Sequence, residues 1–155
     1  MAGEVDARLA KLGIEIPVAA APVANYVGYV QTGNLVFVSG QVPIKDGKFQ
    51  FQGKLGAGMS LEDAQAAARL CAINIIAQVK AACGGDLDRV QRVVKLTGFV
   101  NSTGDFTDQP KVVNGASDLM VEVFADKGKH SRAAVSAASL PAGVAVEVEA
   151  VVQIA

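Results

Sequence analysis

The chain has 155 residues, 51% of them hydrophobic and 19% charged, with a formal net charge of −1 and no tryptophan. That length suits one compact domain with a full core, and the apolar excess leaves surface for a subunit interface. The near-neutral charge argues against a nucleic-acid binder, which needs a basic face, and no apolar run approaches the roughly 18 residues that cross a membrane.

Residues 1–10 contain Glu4, Asp6 and Arg8 and lack the basic-then-apolar layout of a signal peptide, so a cytoplasmic protein is expected. Val5, Leu9 and Leu12 fall at helical spacing and Gly13 can supply a left-handed cap, which predicts a short N-terminal helix over residues 4–12. Residues 16–24 (IPVAAAPVA) read as an extended surface connector. The single domain spans residues 1–155, with residues 1–21 as its helical extension and connector.

Residues 26–31 and 34–39 are apolar, β-rich runs around Thr32-Gly33 and predict a hairpin. Gly40 ends the second run, either as a simple strand terminus or as a place of close backbone approach. Residues 43–58 read as a glycine-rich loop with one short strand near 48–51. Their pattern matches neither phosphate-binding glycine motif.

Ser60 and Asp63 form a capping box for a long helix in which Leu61, Ala64, Ala68, Cys71, Ile75 and Val79 step by three and four. Gly84-Gly85 stops it. Cys71 and Cys83 are too few and wrongly spaced for a disulfide framework or a metal knuckle, and read as buried thiols. A strand over 92–100 and a loop over 101–105 follow. A second helix covers 108–124, with Asp108 as cap and Pro110 in its first turn. Strands over 132–138 and 144–154 flank a type I turn at Leu140-Pro141-Ala142-Gly143.

The order α-β-β-α-β-α-β-β predicts a two-layer α+β domain, two long helices covering one sheet face. In the last strand Val144, Val146, Val148, Ala150, Val152 and Ile154 share one face, and Ala145, Glu147, Glu149, Val151 and Gln153 the other. The second face is too polar for a core and too apolar for open water. A homo-oligomer is expected.

No G-x-S-x-G elbow accompanies the single histidine, His130, and no His, Cys or carboxylate cluster suggests a metal, so His130 reads as a surface residue beside a strand start. Arg132 is either a solvated or ion-paired residue or a bidentate holder of a carboxylate. Glu147 is either a solvated strand residue or a carboxylate that positions water and relays a proton. A tight hairpin at 140–143 would set Ser136 opposite Glu147 and leave Arg132 roughly 13 Å further along at about 3.3 Å per residue. The two can meet only if their strands are not direct partners, or if they come from different subunits.

The segment SRAAVSAASLPAGVAVEVEAV resembles the C-terminal signature of the RidA/YjgF family, PARS-x-V, LP-x-G and a (V/I)E(I/V)EA strand. Tyr26, the run Asn34-Leu-Val-Phe-Val-Ser-Gly-Gln41 with Pro43, the Ser60 helix and Thr97-Gly-Phe-Val match upstream, in the branch with an N-terminal helical extension. The resemblance implies a chorismate-mutase-like α+β fold with a mixed sheet and a homotrimer with clefts between subunits. It also implies cofactor-free hydrolysis of 2-enamine or 2-imino acids to 2-keto acids and ammonia. On that resemblance Arg132 holds the substrate carboxylate and Glu147 positions the attacking water. Tyr26, Ser39, Gly40 and Asn114 line the pocket, and Ala134 offers its backbone carbonyl where the family commonly has cysteine. The family's Gly-Pro is Ala24-Asn25 here, its Pro-Ala before the arginine is His130-Ser131, and the loop over 45–58 differs. The expected partner is a small carboxylate-bearing metabolite, with no metal, nucleic acid or membrane. The alternatives are a carboxylate-binding protein without turnover and, least supported by the charge, a ribonuclease or translation inhibitor.

Overall fold

The computed structural model describes residues 3–155. In chain order the elements are α1 (Glu4–Leu12), β1 (Tyr29–Thr32), β2 (Leu35–Gln41), β3 (Ile44–Lys45), β4 (Lys48–Phe49), α2 (Leu61–Ala82), β5 (Val90–Asn101), α3 (Gln109–Phe124), β6 (Ser131–Ala137) and β7 (Val146–Ile154). Five strands form one mixed sheet in the order β1-β2-β7-β5-β6, in which β5 and β6 run parallel and every other pair is antiparallel. The architecture is the expected α+β arrangement with a short N-terminal helix.

Side-chain periodicity explains which surfaces meet. In β7, Val146, Val148, Ala150, Val152 and Ile154 are buried while Glu149 is exposed and Glu147, Val151 and Gln153 are half-buried. The buried row packs under α2, whose Ala64, Ala67, Ala68, Cys71, Ala72, Ile75, Ile76 and Val79 point inward. Fully burying each larger aliphatic side chain contributes about 1.5–3 kcal/mol. Ser60 caps α2 by accepting from the Asp63 N–H at 3.0 Å.

Two glycines let α3 approach closely. A Cβ at Gly115 would sit 2.1 Å from the Gln65 carbonyl oxygen of α2, and one at Gly98 would sit 2.5 Å from Val113 Cγ2. Helix α3 therefore rests directly on both α2 and β5. This placement matters because α3 also carries Asn114.

Helix α1 closes at Gly13, with φ at 70°, and buries Val5 and Leu9. Its first-turn donors find an acceptor far away in sequence, since the Glu4 and Val5 N–H groups donate to the Asp88 carboxylate at 3.0 and 2.9 Å. Residues 14–28 form neither helix nor strand, as the connector reading expects, and Gln78 Nε2 pins them by donating to the Ala20 carbonyl.

Several local expectations need correction. Strand β1 begins at Tyr29, which leaves Tyr26 in an exposed bend rather than in the hairpin. The loop after β2 holds a two-strand hairpin, β3–β4, closed by Asp46 and Gly47 with φ at 52° and 74°, a type I′ turn. Asp108 makes no side-chain cap bond to α3 and pairs instead with Lys111 at 3.5 Å. Ala142 has φ at 55° and ψ at 16°, so the turn after Pro141 is of type II rather than type I.

Candidate active site

Strand β5 lies between β6 and β7, which is the physical reason the last two strands are not a hairpin. Arg132 pairs across with Leu96 of β5, and Glu147 with Phe99. Leu96 is buried on the helix-covered face, and the odd offset to Phe99 puts Glu147 on the open face. The two residues are separated by two strand spacings and three residues of rise, roughly 14 Å between backbones. Arg132 and Glu147 of one chain therefore point to opposite sides of the sheet.

The arginine half lies at the β6 edge, against α3. Arg132 Nη1 donates to Asn114 Oδ1 at 2.8 Å and to Ser117 Oγ at 3.1 Å. Ser117 also lies 2.9 Å from His130 Nε2, and His130 Nδ1 lies 2.6 Å from the Gly128 carbonyl oxygen. Arg132 is exposed, and among the described residues no carboxylate pairs with it. A held but uncompensated guanidinium suits an incoming carboxylate.

The glutamate half lies on the open face between β2 and β7. The β2–β7 register shifts between Val38 and Gln41, so Ser39 and Gly40 bulge beside Glu147. A Cβ at Gly40 would come within 2.9 Å of Glu147 Oε1. Ser39 donates through Oγ to the Val27 carbonyl at 2.6 Å and through its N–H to Gly28 at 2.9 Å, which ties the Tyr26 segment alongside. Burial, and secondarily the negative charge of Glu149, pushes the Glu147 carboxyl above its ordinary range.

Of the residues expected at the site, the structure thus brings Arg132 and Asn114 together, and separately Glu147, Gly40 and Ser39 with Tyr26 nearby. Ala134 pairs with Gly98 and packs against the core on the helix face. Ser117 was missed by sequence reading. Its signal is a spacing of three from Asn114, which sets two polar residues on one face of an otherwise apolar helix. His130 is not simply a surface residue: it is half-buried, and both ring nitrogens have partners.

Cys71 lies behind the glutamate half, where Sγ donates to the Val146 carbonyl at 3.5 Å. Burial first, and then the charge of Glu147, pushes its thiol well up, so it is no nucleophile near neutrality. Burial also raises the Cys83 thiol. Among the described residues no group of three or more His, Cys, Asp or Glu could hold a metal, and no helix is long and apolar enough to cross a membrane.

The open face itself is mixed. Val30, Phe37 and Val135 are exposed on it, and Thr97, Phe99, Glu149 and Val151 lie among them. A surface of this character fits a partner better than bulk water.

Comparison with known proteins agrees with this architecture. The family described as "YjgF/chorismate_mutase-like, putative endoribonuclease" matches residues 6–151. Protein TCP17 of Trypanosoma cruzi is 52% identical over 153 residues, 98% of this chain and 95% of its own. A crystal structure of a protein of unknown function from Agrobacterium tumefaciens superposes with a TM-score of 0.92 at 48% identity, covering 97% of this chain and 92% of that one. The crystal structure of E. coli TdcF with bound serine superposes with a TM-score of 0.62 at 26% identity, covering 88% and 94%. The resemblance read from the C-terminal signature holds, and the chain belongs to the YjgF/chorismate-mutase-like family.

Proposed function

We propose that the protein is a cofactor-independent hydrolase of 2-imino and 2-enamine acids, releasing 2-keto acids and ammonia. The observation that carries this reading is the Arg132 guanidinium, fixed by Asn114 and Ser117 and paired with no carboxylate among the described residues. In this reading Arg132 holds the substrate carboxylate bidentately and sets the imine carbon next to a glutamate. A water molecule adds to that carbon and gives its proton to Glu147. The glutamate returns that proton to nitrogen to give the carbinolamine. It then takes the remaining hydroxyl proton and delivers it to the amino group, so the C–N bond breaks with its electron pair going to nitrogen and ammonia leaves as the carbonyl forms. A carboxyl raised by burial above its ordinary range is better suited to returning a proton than a fully solvated one.

The opposed directions of Arg132 and Glu147 support a site that takes them from two copies. Gly40, Ser39 and Tyr26 of one copy would line the cleft beside Glu147, and the neighbouring copy would bring its Arg132 together with its own Ala134 carbonyl. A closed ring of three copies, with open faces turned toward one another, covers the Val30, Phe37 and Val135 surface and builds such clefts. The bound serine of E. coli TdcF is a small amino acid with a carboxylate of the kind proposed.

A second reading has its own support. The arginine half is complete without Glu147, so the cleft could bind a keto acid and turn nothing over. Both readings meet one experiment, in which an amino-acid oxidase generates 2-imino acids and their decay is followed with purified protein. Acceleration by the wild type, lost in Arg132→Ala, supports the hydrolase. Saturable keto-acid binding with no acceleration supports the binding protein instead.

A further inference from the structure

We infer that Ser117 and His130 are positioning residues that reserve one edge of Arg132, the Nε–Nη2 edge, for the ligand carboxylate; this rests on the carboxylate-holding role proposed above. A guanidinium has five N–H donors, two of them on each terminal nitrogen. Nη1 donates to both Asn114 and Ser117, which uses both of its hydrogens. No hydrogen bond from Nε or Nη2 is made among the described residues. The Nε–H and the adjacent Nη2–H lie parallel and match the two oxygens of a carboxylate. The end-on approach, which needs an Nη1 hydrogen, is closed.

The direction of each hydrogen bond follows from its neighbour. The Gly128 carbonyl can only accept, so His130 Nδ1 is the donor of that bond, and the tautomer it selects offers Nε2 as an acceptor. In that tautomer the Ser117 hydroxyl donates to Nε2, and the Ser117 oxygen is left to accept from Arg132. The chain therefore runs one way, from Arg132 through Ser117 and His130 to the Gly128 carbonyl. Gly128 anchors its far end, because a Cβ there would lie 2.1 Å from the Met120 carbonyl oxygen of α3. His130 stands where the resembled family has proline, and a proline ring could supply neither bond.

The test uses the intact protein and pyruvate as the carboxylate probe, with binding followed by titration calorimetry. Ser117→Ala is expected to weaken pyruvate binding about tenfold, the equivalent of one charge-assisted hydrogen bond. Ser117→Thr, which keeps the hydroxyl, should stay within about twofold of wild type, a rescue that a purely structural role does not predict. His130→Ala should weaken binding about threefold, and His130→Gln, whose amide oxygen can accept from Ser117, should recover part of that loss. In nitrogen-15 spectra the Arg132 Nε–H resonance should move when pyruvate binds. Wild-type affinity in both alanine variants while Arg132→Ala abolishes binding would overturn the positioning role and leave the carboxylate reading standing. Undiminished binding by Arg132→Ala would overturn both.

Discussion

The arginine half and the glutamate half are built on different physical terms. Arg132 sits on an edge strand, solvent-exposed, yet side chains of α3 hold it from behind. Glu147 sits mid-sheet, half-buried, beside a backbone bulge, and among the described residues no cation pairs with it. One half is organised to keep a charge fixed in water, the other to make a charge uncomfortable. In the proposed hydrolase, recognition and proton transfer ask for those opposite environments, and opposite faces of one sheet would let a single strand set, β7-β5-β6, support both.

That contrast can be broken from either side. The largest effect is expected for Glu147→Gln, which should lower imine turnover by about 10²- to 10⁴-fold, while pyruvate affinity stays within a few-fold of wild type. A parallel loss of affinity in calorimetry would mean that the two halves are not separable. Next comes Gly115→Ala, whose Cβ meets a backbone carbonyl that cannot swing away. It should destabilise the fold by about 1–3 kcal/mol in urea denaturation and, through the shift of α3, also weaken pyruvate binding. The Cβ of Gly40→Ala meets the Glu147 side chain, Oε1 at 2.9 Å and Cδ at 3.0 Å, and no backbone atom is among its three nearest neighbours. Turnover should fall several-fold with little change in melting temperature.

The smallest expected effect concerns pH. The Glu147 carboxyl is raised by burial and by Glu149, so its folded-state pKa lies above the unfolded value. The stability it contributes is therefore full below the unfolded pKa of about 4.3 and is lost as pH rises through the folded value. Glu147→Gln should then be slightly more stable than wild type at neutral pH, with the gap closing near pH 4. Paired thermal melts at the two pH values check the sign.

Much of this fold is legible in local pattern. The Ser60 cap, the three-and-four spacing of α2 and the alternation of β7 are each written within one segment, and each appears where the pattern places it. The non-local features are harder. Nothing between residues 130 and 150 says that β5 enters between β6 and β7, yet that insertion decides which way Arg132 and Glu147 face. Ser117 looks like an ordinary helix-surface serine until β6 is laid beside α3, and His130 looks solvated for the same reason. Ala142 at positive φ was hidden because alanine seldom adopts that conformation.

The most direct measurement of a site shared between copies is complementation. Arg132→Ala and Glu147→Gln proteins, each inactive alone, are unfolded together in equal amounts, refolded and assayed for imine hydrolysis. If Arg132 of one copy works with Glu147 of the next in a closed ring, about a quarter of the sites regain both groups and activity returns to that level. Activity no higher than that of either variant alone would contradict the shared site.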